Sequence, residues 1–158
     1  MAFLEWLQFT APASFVAETL WAYPLFETLH TLGMALLIGS LGLINLRILG
    51  FKRELPVVGT LDLLPLAWIG FSVNLVSGFA LFMSDAVYFW SSVTFRIKLA
   101  LIVLAGINAF VLSQTSFRAA RAGFGDAPQL PGARFVAASS LVFWIGAVIA
   151  GRLIAYLP

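Results

Sequence analysis

Polar and charged residues fall in clumps along the chain, and four uncharged stretches lie between them: 28–46, 63–84, 99–117 and 135–151. Each holds 17 to 22 residues. A helix needs about 20 apolar residues to cross roughly 30 Å of hydrocarbon. None shows the strict alternation of a barrel strand, and backbone groups in lipid must be satisfied within the segment. The pattern predicts four membrane helices, over 24–49, 63–83, 94–113 and 135–157. Punctuation agrees with these limits. Pro24 lies where a first-turn proline is tolerated, and Gly50 stands at a C-cap position. Pro56 and Gly59 mark a short connection, and Pro65 starts the second helix. The stretch 123–132 reads GFGDAPQLPG, a loop composition.

The first twenty residues carry a different pattern. Phe3, Leu4, Trp6, Leu7 and Phe9 crowd a segment too short to cross, with Glu5 its one early charge. No Lys or Arg precedes Arg47, so the basic region of a signal peptide is missing. An interfacial or re-entrant segment over 1–20 is the expectation. The fold class is therefore all-α: a single transmembrane four-helix bundle with an interfacial N-terminal segment.

Composition sharpens this picture. Of 158 residues, 61% are hydrophobic and 10% charged. Soluble domains average about 25% charged residues, and disordered chains are poor in apolar residues. Both classes are excluded. The net charge of +2, with dispersed basic residues, gives no basis for nucleic-acid binding. No cysteine is present, which removes disulfides, thiolate metal sites and cysteine nucleophiles.

Basic residues set an expected orientation. Arg47, Lys52, Arg53, Arg118, Arg121 and Arg134 fall on one side, and Arg96, Lys98 and Arg152 on the other. The positive-inside rule places the first group in the cytoplasm and both termini in the periplasm of a bacterial inner membrane. Glu5, Glu18, Glu27 and Asp85 fall on the outer side. So do the aromatic anchors Trp6, Trp21, Tyr23, Tyr88, Trp90 and Tyr156.

Ionisable groups at membrane depth are functional candidates. Glu27 and His30 share a face of the first helix, being three apart. His30 lies roughly 9 Å below Pro24, counting 1.5 Å per residue. Lys98 and Arg152 enter their helices at matching heights. One polar layer of Glu27, His30, Lys98 and Arg152 is expected in the outer third of the bundle, with Asp85 and Arg96 nearer water, and it is a candidate site for an anion, a quinone head group, a proton or a metal. The competing reading is structural: snorkelling cations and a Glu27–Arg152 clamp. A second, inner polar layer of Asn45, Arg47, Asn74 and Asn108 reads as hydrogen bonding between helices. Small residues spaced by four, at Gly146/Ala150, Ala147/Gly151 and Ala35/Gly39 with Gly42 beyond, mark close helix contacts. An Ile-Asn step at 44–45 and 107–108, and Trp-Ile-Gly at 68–70 and 144–146, hint at duplicated helix pairs.

Candidate chemistry is sparse. A b-type haem usually takes two histidines in such bundles, and this chain has His30 alone. Met34 lies four residues on along the same helix and cannot reach the opposite haem face. His30 and Met34 form a poor two-ligand copper site. No metalloprotease, phosphate-loop or nucleophile-elbow motif occurs, so no catalytic residue is assigned.

The stretch 21–52 contains PLFETLH near its start and LRILG near its end. With E-x-x-H (Glu27, His30) and L-R-x-L-G (Leu46, Arg47, Leu49, Gly50), it resembles an uncharacterised family of small bacterial four-helix inner-membrane proteins, domains of unknown function. SGFALF at 77–82, FRIKL at 95–99 and Gly106–Asn108 extend the resemblance over most of the chain. The plan is loosely similar to copper-resistance and cytochrome b-like membrane domains, without their multiple histidines. The resemblance implies the topology and no activity. The leading expectation is a non-enzymatic membrane subunit, self-associating or accessory to a larger complex. Beside it stand a bundle binding haem, quinone or an anion through Glu27, His30 and Arg152, with electron transfer as one use, and a proton or small-ion channel.

Overall fold

The structure, a computed structural model, describes residues 1–51, 54, 56–122 and 132–157, with the backbone alone at 120. It is all-helical, with no strand among the described residues. Two short helices come first, α1 (Ala2–Gln8) and α2 (Ala11–Glu18). The first long helix is α3 (Ala22–Leu49). Next come α4 (Val57–Thr60), a 3-10 turn (Leu61–Leu63) and α5 (Leu64–Ser84), which run on as one span from 57 to 84. A short α6 (Ala86–Ser91) leads to α7 (Val93–Leu112). A π-helical turn (Ser113–Phe117) and α8 (Arg118–Arg121) prolong it, and α9 (Ala133–Leu153) closes the chain. Four of these spans are long and apolar enough to cross a membrane. The protein is a multi-pass membrane helical bundle.

The boundaries follow local chemistry. At the end of α3, Gly50 adopts φ 105°, a left-handed conformation that costs glycine nothing. Its N–H reaches Arg47 O at 3.0 Å and the Phe51 N–H reaches Leu46 O at 3.0 Å. These two bonds close a Schellman cap. The second span starts at Val57 rather than at 63, because Pro56 supplies the extended residue before a helix. Gly59 is thus helical, not part of the connection. Pro65 sits in the first turn of α5, where its missing N–H is harmless. Asp85 and Ser92 cap α6 and α7, accepting from Tyr88 N and Phe95 N at 3.3 Å each. The fourth span ends at Leu153, four residues short of the expected 157, and continues as a turn. Most of the expected loop over 123–132, with Lys52 and Arg53 of the first connection, lies outside the described residues.

Two antiparallel hairpins make the bundle. Helix α3 packs along α5, α7 packs along α9, and the hairpins join where α3 meets α9. Both termini lie at one end, here the terminal end. There Thr94 Oγ1 donates to Leu157 O at 3.0 Å, and the Tyr88 hydroxyl to Ile154 O at 3.4 Å. Helices α1 and α2 fold over this end, on α6 and α5 respectively. The six aromatic anchors of the sequence are all exposed around it. In mid-bundle, Leu37, Ala67, Ala105 and Trp144 form an apolar tier to which every long helix contributes. A larger cluster, built on Ile44, Ile48, Leu112, Phe117 and Ala137, fills the opposite end.

Candidate functional site: two polar tiers

His30 lies on the inner face of α3, one turn beyond Phe26 and one before Gly33. Its Nδ1 is 3.1 Å from Ser77 Oγ on α5. The Ser77 hydroxyl also has the Val73 carbonyl as an acceptor. Whether Nδ1 or Oγ donates follows the imidazole tautomer, and the ring also meets the Asn74 backbone. The ring fits here because Gly78 has no side chain: a Cβ there would lie 2.9 Å from His30 Cε1. An iron reaching Nδ1 would have to displace Ser77. Among the described residues, no group of three metal-ligating side chains occurs.

Lys98 enters the same tier from α7. Its stem and ammonium lie across Gly151 of α9, where a Cβ would stand 3.3 Å from both Cε and Nζ. The ammonium is within electrostatic range of His30. Among the described residues, no carboxylate comes within 4.0 Å of it. The terminal tier thus holds one element from each long helix: His30, Ser77 with Gly78, Lys98 and Gly151. Glu27 and Arg152 are both exposed on the outside of the bundle and form no ion pair with each other. Helical phase explains this. Glu27 is three residues before His30 and lies some 60° around the helix, enough to leave the α3–α5 seam. Glu27 instead shares its surroundings with Tyr23 and Asp85. Met34 lies a turn deeper than His30, half-buried.

The opposite tier forms around α9. Asn45 Nδ2 donates to Ser140 Oγ at 3.1 Å, linking α3 to α9. Asn108 Nδ2 donates to Ser139 Oγ at 2.9 Å, linking α7 to α9. Arg47 is buried nearby on the last turn of α3. Asn74 does not join this tier. Helix α5 runs antiparallel to α3, so Asn74 lies one turn from Ser77, toward the terminal tier. Nor does its amide cross to another helix as expected. It donates to Gly70 O at 3.1 Å within α5, while resting against Gly33 of α3.

Compared with protein families, curated proteins and solved structures, the chain finds no match.

Several contributors carry little signal in the sequence. The adjacent pair Ser139–Ser140 looks unremarkable, yet residues 100° apart on one helix serve two neighbours at once. A close backbone crossing uses Gly33 and Gly70, which belong to no four-residue pattern. The Trp144 indole N–H is buried without a hydrogen-bond partner, as is the Ser116 hydroxyl in the π-helical turn. Leu37, Ala67, Ala105 and Trp144 separate the two polar tiers, so the described residues of one chain offer no continuous polar path.

Proposed function

We propose that this protein is a non-enzymatic, multi-pass protein of the bacterial inner membrane, with both termini periplasmic. Its terminal tier binds a head group with exposed oxygen acceptors, either quinone-like or anionic. The observation that carries this reading is Lys98. Its ammonium is held between helices, against Gly151, with no carboxylate among the described residues to neutralise it. Cations at membrane depth are costly, and a ligand oxygen would offset that cost. His30 lies within electrostatic range of the ammonium and adds a second polar group to the same tier.

The test is binding of a short-tailed benzoquinone and of decanoate to the reconstituted protein, followed by tryptophan fluorescence. Lys98→Met should weaken whichever ligand binds by about tenfold or more, the usual scale for a charged hydrogen bond, and Lys98→Arg should retain part of the affinity. Binding that is undiminished in Lys98→Met, or absent from the wild type, would sink the reading. An absorption spectrum of the same sample tests the haem alternative, which requires a Soret band lost in His30→Ala.

A second reading, self-association or docking on a larger complex, is favoured by α3. A Cβ at Gly39 or Gly42 would meet nothing within 4 Å, and Ala35 is exposed on the same face. Such a face permits close approach of another helix. The apolar mid-bundle tier argues against the ion-channel alternative within a single chain.

A further inference from the structure

The short N-terminal helices leave a cleft against the first hairpin. Helix α2 rests on α5 and touches α3, with Ala13 and Val16 as its buried residues. Beside this contact lies a groove of about 460 Å³, the size of a small-molecule pocket. Phe15 and Val16 of α2, Phe26 of α3, and Phe79, Ala80 and Met83 of α5 line it, and no lining residue carries a polar side chain. Phe15 is braced edge-on against Trp21, with ring centroids 5.7 Å apart. Along α5 the groove runs from Leu75 to Met83, about 12 Å at 1.5 Å per residue. That length covers most of one leaflet's hydrocarbon, about 15 Å, and under half of what a crossing helix needs. Leu75 and Phe79 are 61% and 53% exposed on a span apolar enough to cross a membrane, so the groove opens into hydrocarbon. Packing rather than hydrophobicity drives association in lipid, and an unfilled groove would forfeit dispersion contacts along its walls. A flexible acyl chain fills such a space.

Each wall of the groove leads to an acid. Glu18 follows Val16 by two residues, Glu27 follows Phe26 directly, and Asp85 follows Met83 by two. Glu18 and Asp85 line one further recess of about 200 Å³, together with Ser14 and Ser84. Glu27 and Asp85 share the surroundings of Tyr23. All three carboxylates are exposed, and none has a cation within 4.0 Å among the described residues. The basic residues of this end, Arg96, Lys98 and Arg152, belong to α7 and α9. The rim is therefore complementary to an ammonium and repels a head group of net negative charge.

We infer that the groove between α2 and α5 binds an acyl chain of an amine-headed phospholipid, whose ammonium meets Glu18 and Asp85. The site is separate from the Lys98 tier. Ser77 and Gly78 turn toward His30, whereas Phe79 lies about 200° around α5 from Ser77.

The full-length protein in mild detergent is titrated with phosphatidylethanolamine and with phosphatidylglycerol, and bound lipid is counted by native mass spectrometry. Phosphatidylethanolamine should bind about threefold tighter or more, the scale of one or two exposed charge pairs. Glu18→Gln/Asp85→Asn should abolish that preference. Asp62→Asn, at the other end of the bundle, should keep it. Ala80→Leu fills the groove and should lower the retention of both lipids. Equal binding by the wild type overturns the proposal. So does a preference that survives Glu18→Gln/Asp85→Asn, or retention unchanged in Ala80→Leu. Should Ala80→Leu not fold, phosphatidylethanolamine with a photoactivatable acyl chain maps the site on the wild type in vesicles. Labelling should concentrate on 12–16 and 75–83, and labelling spread evenly to the exposed α7 residues Val103 and Phe110 overturns the proposal. Efficient cross-linking of two copies through Phe79→Cys would place a second chain in the groove and overturn it as well.

Discussion

In the α3/α5 hairpin two helix backbones touch, whereas in the α7/α9 hairpin side chains lie in glycine notches. A Cβ on Gly70 would stand 2.6 Å from Leu37 N and 2.8 Å from Gly33 O. Nothing there can rotate away. A Cβ on Gly146 would stand 3.2 Å from a Leu101 methyl, and one on Gly151 would meet the flexible Lys98 stem. Those neighbours are side-chain ends that can shift by a few tenths of an ångström. The first hairpin is therefore fixed by main-chain geometry, and His30 inherits that precision through Gly78 and Ser77. The second is adjustable, since Gly146 and Gly151 face side chains rather than backbone. The paired Trp-Ile-Gly steps illustrate the contrast. Gly70 and Gly146 each face their own hairpin partner, yet Trp68 is 66% exposed while Trp144 is 7% exposed in the core.

The largest test of this contrast is Gly70→Ala. Overpacking against backbone should destabilise the protein by about 1–3 kcal/mol or more, seen as a lower unfolding temperature in detergent. A wild-type melting curve would erase the distinction between the hairpins. Next comes the seam between them. Asn45→Ala removes the bond to Ser140 and should cost about 0.6 kcal/mol, the mean for hydrogen bonds inside membranes. Asn108→Ala tests the same scale within α7/α9, and a loss there as large as that from Gly70→Ala would invert the comparison. Gly146→Ala should cost less than either asparagine change, since Leu101 has room to turn. Trp144→Phe removes an indole N–H that has no partner, so its cost should be that of the vacated ring volume in the mid-bundle tier, below the scale of about 3–5 kcal/mol for a full Trp→Ala truncation. The smallest effect belongs to Gly39→Ala and Gly106→Ala, where a Cβ meets nothing within 4 Å. Their unfolding should match the wild type, and any change in oligomeric size with Gly39→Ala would favour the self-association reading.

Much of this was legible in residue order. Hydrophobic run length placed all four spans, although the second began six residues early, where Pro56 starts a short helix that the polar neighbours obscured. Gly50 announced the end of α3, and its cap is the one expected of glycine. Depth was legible too, since each helical residue adds a fixed rise. His30 and Lys98 were matched by height, and they do share a tier. What counting did not provide was azimuth. Glu27 and Arg152 have the right depth and the wrong face. Asn74 was grouped with Asn45 and Asn108, but the antiparallel return of α5 carries it toward His30.

Sequence by itself determined how many times this chain can cross a bilayer, which stretch makes each crossing and which polar groups are carried to depth. Those are one-dimensional properties, set by transfer free energy and by rise per residue. The tertiary structure alone decided which of those groups meet. Contact depends on the phase of each helix about its axis and on where two backbones come close enough, as at Gly33 and Gly70, to fix that phase. For this reason His30 faces Ser77 and Lys98 crosses Gly151, while Glu27 and Arg152 remain on the outside.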